Sequence, residues 1–79
     1  MPDIQAIGSE LETADSRALA EFARKHYKHP SVEVRTLASF ALFKCSAIGH
    51  RLAGRIDEAM LYEGYAETEY QRLPEGARW

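Results

Sequence analysis

The chain has 79 residues, of which 46% are hydrophobic and 28% charged, a composition that excludes a disordered polypeptide. One domain is all that this length accommodates. Its single cysteine, Cys45, cannot form an internal disulfide, so we expect a reducing compartment. The acidic N-terminal residues lack the basic segment and apolar run of a secretion signal, and no apolar stretch approaches the ~20 residues that span a bilayer. These observations predict a soluble cytoplasmic protein.

The formal net charge is −2, but the charges are segregated along the chain. Residues 1–16 carry only acids, for −4, residues 17–55 carry eight basic and two acidic side chains, for +6, and residues 56–79 carry −4. This pattern favours an antiparallel arrangement in which the basic middle faces both acidic ends.

Apolar residues in the first segment recur at spacings of three and four, the period of one helical face. The pattern predicts a helix over residues 9–28, beginning at a capping box formed by Ser9 and Glu12, with a restart near Thr13 or Asp15 as the alternative. Pro30 disfavours helical geometry in the residue before it and therefore stops this helix.

The second segment, residues 31–52, is predicted as a helix with Ser31 as its N-cap. One apolar face is continuous and a second is shorter, so this helix is expected to be the core element, buried on more than one side. The first face comprises Val34, Leu37, Ala38, Ala41, Leu42, Cys45, Ile48 and Leu52, and the second comprises Phe40, Phe43 and Ala47.

Gly54 suits the left-handed position that ends a helix, and a third helix is predicted over residues 55–73, closed by Pro74. The fold expected is therefore all-α: one domain, a small three-helix bundle with an antiparallel helical hairpin. A single helix over residues 31–73, paired in a dimer, is the alternative. We expect residues 1–8 and 75–79 to form loose tails, with a short helical turn before Gly8 and docking of Trp79 as the alternatives.

No combination of residues indicates catalysis, a cofactor or a metal site. Cys45 and His50 lie about 140° apart around one helix and cannot readily meet. The histidines and Cys45 lack the ligand spacings of a zinc site, and Glu63 and Glu67 lack the partner motifs of a di-iron site. We therefore expect neither an enzyme nor a small-molecule substrate.

Aromatic residues off the main apolar stripes are candidates for a protein interface, because aromatic side chains are enriched in such surfaces. Packing inside the monomer is the equally weighted alternative. The predicted interface consists of Phe40, Phe43, Tyr62, Tyr65 and Trp79.

The segment from Arg24 to His29 is basic with an aromatic residue at its centre, as in some single-stranded nucleic-acid sites. A cationic helix C-terminus, stabilised by the helix dipole, is the favoured interpretation. If a polyanion binds, the contacts expected are Arg17, Arg24, Lys25, Lys28 and Arg35.

The run from Ala53 to Ala59, with Gly54 before Ile56, Asp57 and Glu58, resembles the hairpin turn of a tetratricopeptide repeat. Within residues 40–73, Phe43, Ala47, Tyr62 and Ala66 fit the pattern, whereas Ser46, His50 and Pro74 depart from it. The resemblance covers one repeat, which excludes a superhelical array. It implies a helical hairpin and a scaffold that binds other proteins.

The leading hypothesis is a small helical protein-protein interaction module that acts by contact and self-associates as a homodimer. The second hypothesis is an accessory or inhibitory protein of a nucleic-acid-handling machine, which uses the basic residues or the acidic end segments. A nucleic-acid partner is less favoured because the whole chain is acidic, and no membrane partner is expected.

Overall fold

In a computed structural model, which describes residues 3–79, all regular structure is helical. Helix α1 spans Ile4–Thr13, α2 spans Ser16–His26, α3 spans Val32–Leu52 and α4 spans Ile56–Arg72, followed by a 3₁₀ turn over Glu75–Ala77. The prediction of an all-α bundle is confirmed, and α3 and α4 match the second and third predicted helices closely. The first predicted helix, residues 9–28, is wrong as a single element because two helices occupy this region.

The break between α1 and α2 lies at Ala14 and Asp15, whose backbones are extended. The Asp15 side chain accepts a hydrogen bond from the Ala18 amide at 2.9 Å and so caps α2. Helix α1 begins earlier than predicted, because the Asp3 side chain accepts from the Ala6 amide at 3.1 Å. Ser9 therefore lies inside α1, and the predicted capping box at this position is wrong.

Helices α3 and α4 form the predicted antiparallel hairpin. Ser31 caps α3 by accepting from the Val34 amide, and Gly54 adopts a left-handed backbone with φ of 80°. The Arg55 amide donates to the His50 carbonyl at 2.8 Å, which closes the turn. The alternative of one continuous helix over residues 31–73 is wrong, because the chain reverses at Gly54.

Helix α3 is the centre of the bundle, as predicted. It packs against α1, α2 and α4, and Leu37 and Ala41 on it are fully buried, as is Leu19 from α2. On the first predicted face, Val34, Leu37, Ala38 and Ala41 are buried, and the Cys45 thiol donates to the Ser16 carbonyl of α2 at 3.4 Å. The assignment is wrong for Leu42 and Leu52 on this face, which are 52% and 84% exposed.

Helical structure is present near both ends of the described chain, in the segments expected to form loose tails. Residues 4–8 belong to α1, whereas Met1 and Pro2 lie outside the described residues. At the other end, the Gln5 side-chain amide donates to the Arg78 carbonyl at 2.6 Å, which ties the last residues to α1. Among residues 3–79, none of the helices has the length and apolar character required to cross a membrane.

Candidate interaction surface

The five aromatic residues of the predicted interface divide between the core and the surface. Phe40 is only 5% exposed and belongs to the main hydrophobic core. Trp79 packs on that core, with its ring centroid 5.2 Å from Phe40 and 4.7 Å from Tyr70, both in edge-on geometry. The monomer itself covers Phe40, which is therefore not available to an interface, and the partly buried Trp79 is part of that cover.

Trp79 is held by polar contacts as well as by its ring. The Tyr70 hydroxyl donates to the main-chain oxygen of Trp79, and the Trp79 indole N–H donates to Glu12 at 3.3 Å. The ring lies directly over Gly8 of α1, where a Cβ atom would overlap the six-membered part of the indole. A glycine at this point thus permits the last residue to join α1 to the α3–α4 hairpin.

Phe43, Tyr62 and Tyr65 form a second aromatic cluster along the other side of the α3–α4 contact. The Phe43 ring centroid lies 6.2 Å from Tyr62 and 5.4 Å from Tyr65, and Tyr62 stacks on His50 at 5.1 Å. Phe43 and Tyr62 are half-buried in this cluster, whereas Tyr65 is 43% exposed. Of the five aromatic residues, Tyr65 has the largest exposed fraction.

A cleft of about 450 Å³ opens beside Trp79, with Phe40 and Tyr70 also in its lining. Three of the four charged side chains that line the cleft form ion pairs within the chain, and the fourth, Glu67, accepts from the Gln71 amide. Lys44 lies 3.6 Å from Glu12, and its ammonium lies over the Phe40 ring at 5.6 Å. Glu63, also in the lining, accepts two hydrogen bonds from the Arg51 guanidinium. These contacts join α3 to α1 and to α4 beside the cleft.

The five basic residues predicted as polyanion contacts are all exposed but do not form one surface. Arg17, Arg24 and Lys28 are seven and four residues apart on and just after α2, and so share one side of it. Lys25 lies about 100° around α2 from Arg24. Arg35 donates to the carbonyls of His29 and Pro30 at 2.8 and 3.1 Å, so it stabilises the turn before α3.

Among residues 3–79, no helix packs against a third face of α3. Positions 35, 39, 42, 46 and 49 recur at spacings of four and three and therefore lie in one row. Leu42 at the centre of the row is half exposed, Ser39 and Ser46 are partly exposed, and a Cβ atom at Gly49 would meet nothing within 4 Å. We refer to these five positions as the open face of α3.

Helix α2 and the open face form a shallow apolar groove of about 280 Å³. Tyr27 at one end of the groove is 58% exposed, and the Arg24 side chain lies at its edge. The groove is lined by Ala20, Ala23, Arg24, Tyr27, Ala38, Ser39 and Leu42.

On its other side, the open face is bordered by α4. Phe43 lies about 60° around α3 from Ser46, and its ring contacts Tyr65. Leu61, one helical turn before Tyr65, is also about half exposed. The exposed apolar residues Tyr27, Leu61 and Tyr65 thus lie around the open face, with Leu42 at its centre.

The sequence contained a signal for this surface. Arg35, Ser39, Ser46 and Gly49 interrupt the apolar pattern of α3 at helical spacing, which marks a side that is not buried. Leu42 falls in the same row, but its apolar character placed it with the core face.

Within residues 3–79, no group of three or more His, Cys, Asp or Glu side chains is arranged to hold a metal ion. Comparison of the chain with models of protein families, with curated proteins and with solved structures gives no match. The resemblance to the tetratricopeptide hairpin is therefore one of local geometry and assigns no family.

Proposed function

We propose that this protein is a small helical interaction module that acts by binding another polypeptide across the open face of α3. The main support for this proposal is that no helix covers the open face of α3, although exposed apolar side chains lie around that face. A polypeptide partner would bury Tyr27, Leu42, Leu61 and Tyr65. Tyrosines in such positions supply large contact area at low entropic cost.

The surface differs from the one that the sequence predicted. Phe40 is buried in the monomer core and Trp79 packs against it, so these two side chains contribute little to the exposed apolar surface. On the open face the exposed apolar residue is Leu42, with Tyr65 at the border, while Val32, Leu52, Ile56 and Met60 are exposed elsewhere. Small residues next to Leu42 in the row would allow a partner helix to approach α3 closely.

The proposal is tested by affinity capture from the native host, after nuclease treatment, with two matched variants. Leu42→Glu places a charge in the open face, whereas Leu52→Glu places the same charge at the highly exposed end of α3. Both should keep the helical circular-dichroism spectrum. We expect one protein, whether a second copy or another chain, to be bound by the wild type and Leu52→Glu but not by Leu42→Glu. No bound protein, or equal binding by both variants, would refute the proposal.

Polyanion binding is the second candidate, favoured by the alignment of Arg17, Arg24 and Lys28 on one side of α2. Within the described residues, none of the three forms an ion pair, and Lys28 lies 5.4 Å from the Tyr27 ring. Three contacts to a single-stranded nucleic acid predict a salt dependence of log K with a slope of about −2. Fluorescence anisotropy with a labelled oligonucleotide measures this slope, and no binding at low salt would exclude the candidate.

A further inference from the structure

On the basis of this proposed function, we propose that the partner contributes an acidic amphipathic helix, which binds in the groove between α2 and the open face of α3. The apolar side of this helix would contact the lining of the groove. Its Asp and Glu side chains would contact the basic residues along the α2 edge of the groove.

The lining of the groove suits a helix. Ala23 of α2 and Ala38 of α3 are buried at its base, whereas Tyr27 and Leu42 are more than half exposed. Small side chains at the base allow a third helix to approach both helices closely, and that helix would bury the two larger side chains. The open face runs from position 35 to position 49, which is about 21 Å along α3, the length of a helix of about 14 residues.

Basic side chains follow the α2 edge of this groove. Arg24 is part of the lining, and Arg17 lies two helical turns before it on the same side of α2. The Lys28 ammonium lies 5.4 Å from the centre of the Tyr27 ring, which also lines the groove. Within the described residues none of the three basic side chains forms an ion pair, so their charges are available to the acids of a partner.

The acidic side chains of α2 and α3 lie outside the groove. Glu21 lies about 60° around α2 from Arg24, on the side opposite to the other lining residues and further from the groove than each of the three basic residues. Glu33 lies about 200° around α3 from Arg35 of the open face, and its carboxylate accepts a hydrogen bond from the Ser31 hydroxyl.

The acids of α4 also lie elsewhere. Glu63 and Glu67 line the other cleft, and Glu69 is buried. Asp57 and Glu58 lie in the first turn of α4, after the hairpin turn. Positive charge therefore borders the groove although the whole chain has a net charge of −2, which favours an acidic partner.

The same lining favours a polypeptide over a nucleic acid. Single-stranded nucleic-acid sites combine basic side chains with several aromatic rings on which successive bases stack. Tyr27 is the one aromatic residue in the lining of this groove, and most of the others are alanine or leucine. These side chains complement the apolar side of an amphipathic helix.

Two synthetic peptides test the charge of the partner. Both have about 16 residues and the same helical stripe of Leu and Ala, but the flanking positions hold Glu in one peptide and Lys in the other. Fluorescence anisotropy of the labelled peptides measures their binding to the full chain at low salt. We expect the Glu peptide to bind at least about tenfold more tightly than the Lys peptide, and less tightly as salt is added. Equal binding, tighter binding of the Lys peptide, or no binding of either would overturn the inference.

Charge-reversal variants locate the contact. Arg24→Glu should weaken binding of the Glu peptide by about three- to tenfold, because repulsion replaces the attraction of an exposed ion pair, and it should strengthen binding of the Lys peptide. A misfolded variant would not show this gain. Lys25→Glu is the matched control: it changes the charge equally but lies about 100° around α2 from Arg24, and it should have little effect. Equal effects of the two variants would refute the assignment to this groove.

Trp79 gives an independent measure of where the peptide binds. It is the only tryptophan and lines the other cleft, so peptides without tryptophan that bind beside Leu42 should leave its emission unchanged. A shift of the emission on binding of the Glu peptide would place that peptide in the cleft and overturn the inference. Binding of a labelled oligonucleotide by a chain that binds neither peptide would support the polyanion candidate instead.

Failure of this inference is distinguishable from failure of the proposed function. If a protein captured from the host requires Leu42 but binds Arg24→Glu as well as it binds the wild type, the acidic helix is wrong while the binding function stands. If Leu42→Glu captures the same protein as the wild type does, the proposed function itself is wrong.

Discussion

Replacement of Gly8 by alanine tests whether the packing of Trp79 over α1 is as close as described. In an exposed helix interior, glycine to alanine adds about 1 kcal/mol of stability because the backbone loses less entropy on folding. Gly64 in the middle of α4 offers the matched control, since a Cβ atom there meets nothing within 4 Å. A Cβ atom at Gly8 would overlap the Trp79 ring.

The expected magnitudes follow from the contacts of that ring. Gly64→Ala should raise the free energy of unfolding by about 1 kcal/mol, or about 4–8 °C in Tm for a domain of this size. Gly8→Ala gains the same helix propensity but displaces Trp79 from Phe40 and Tyr70. Because each edge-on aromatic pair contributes about 0.5–1.5 kcal/mol, the two variants should differ by about 1–3 kcal/mol.

Urea unfolding measures the stability difference, and fluorescence reports the cause. Trp79 is the only tryptophan, so its emission reports this contact alone. In Gly8→Ala the emission should shift to the red and acrylamide quenching should increase, whereas Gly64→Ala should leave both unchanged. If Gly8→Ala stabilises the protein as much as Gly64→Ala does, with unchanged emission, the described packing of Trp79 is wrong.

Two further predictions concern the helix caps and the core. Asp15→Ala should lower the free energy of unfolding by about 0.5–2 kcal/mol because it removes the N-cap of α2, whereas Ser9→Ala, inside α1, should not destabilise the protein. If urea unfolding shows that both variants lower the free energy of unfolding equally, Ser9 also acts as a helix cap. Phe40→Ala should cost about 3–5 kcal/mol because it empties a buried site, whereas the 60% exposed Met60→Ala should cost less than about 1 kcal/mol. If calorimetry shows only a small loss of unfolding free energy for Phe40→Ala, Phe40 is not a buried core residue.

The local elements of this fold were predictable from the sequence because their signals act over three or four residues. Ser31 caps α3 through the amide three positions later, and Gly54 supplies the positive φ at the turn. The long apolar pattern of α3 likewise identified the core helix. At residues 9–28 local reasoning offered two cap signals: the capping box at Ser9 is wrong, and the alternative restart at Asp15 is confirmed.

The coverage of α3 was decided only by the tertiary structure. Helix periodicity shows that a face is apolar, but it does not show which neighbouring element covers it, because those contacts join residues far apart in the chain. Trp79 lies 39 positions from Phe40 and 71 from Gly8, yet it covers both, so the candidate interface residue Phe40 belongs to the core. Leu42, in contrast, lies where neither α2 nor α4 extends over α3, and there the open face remains.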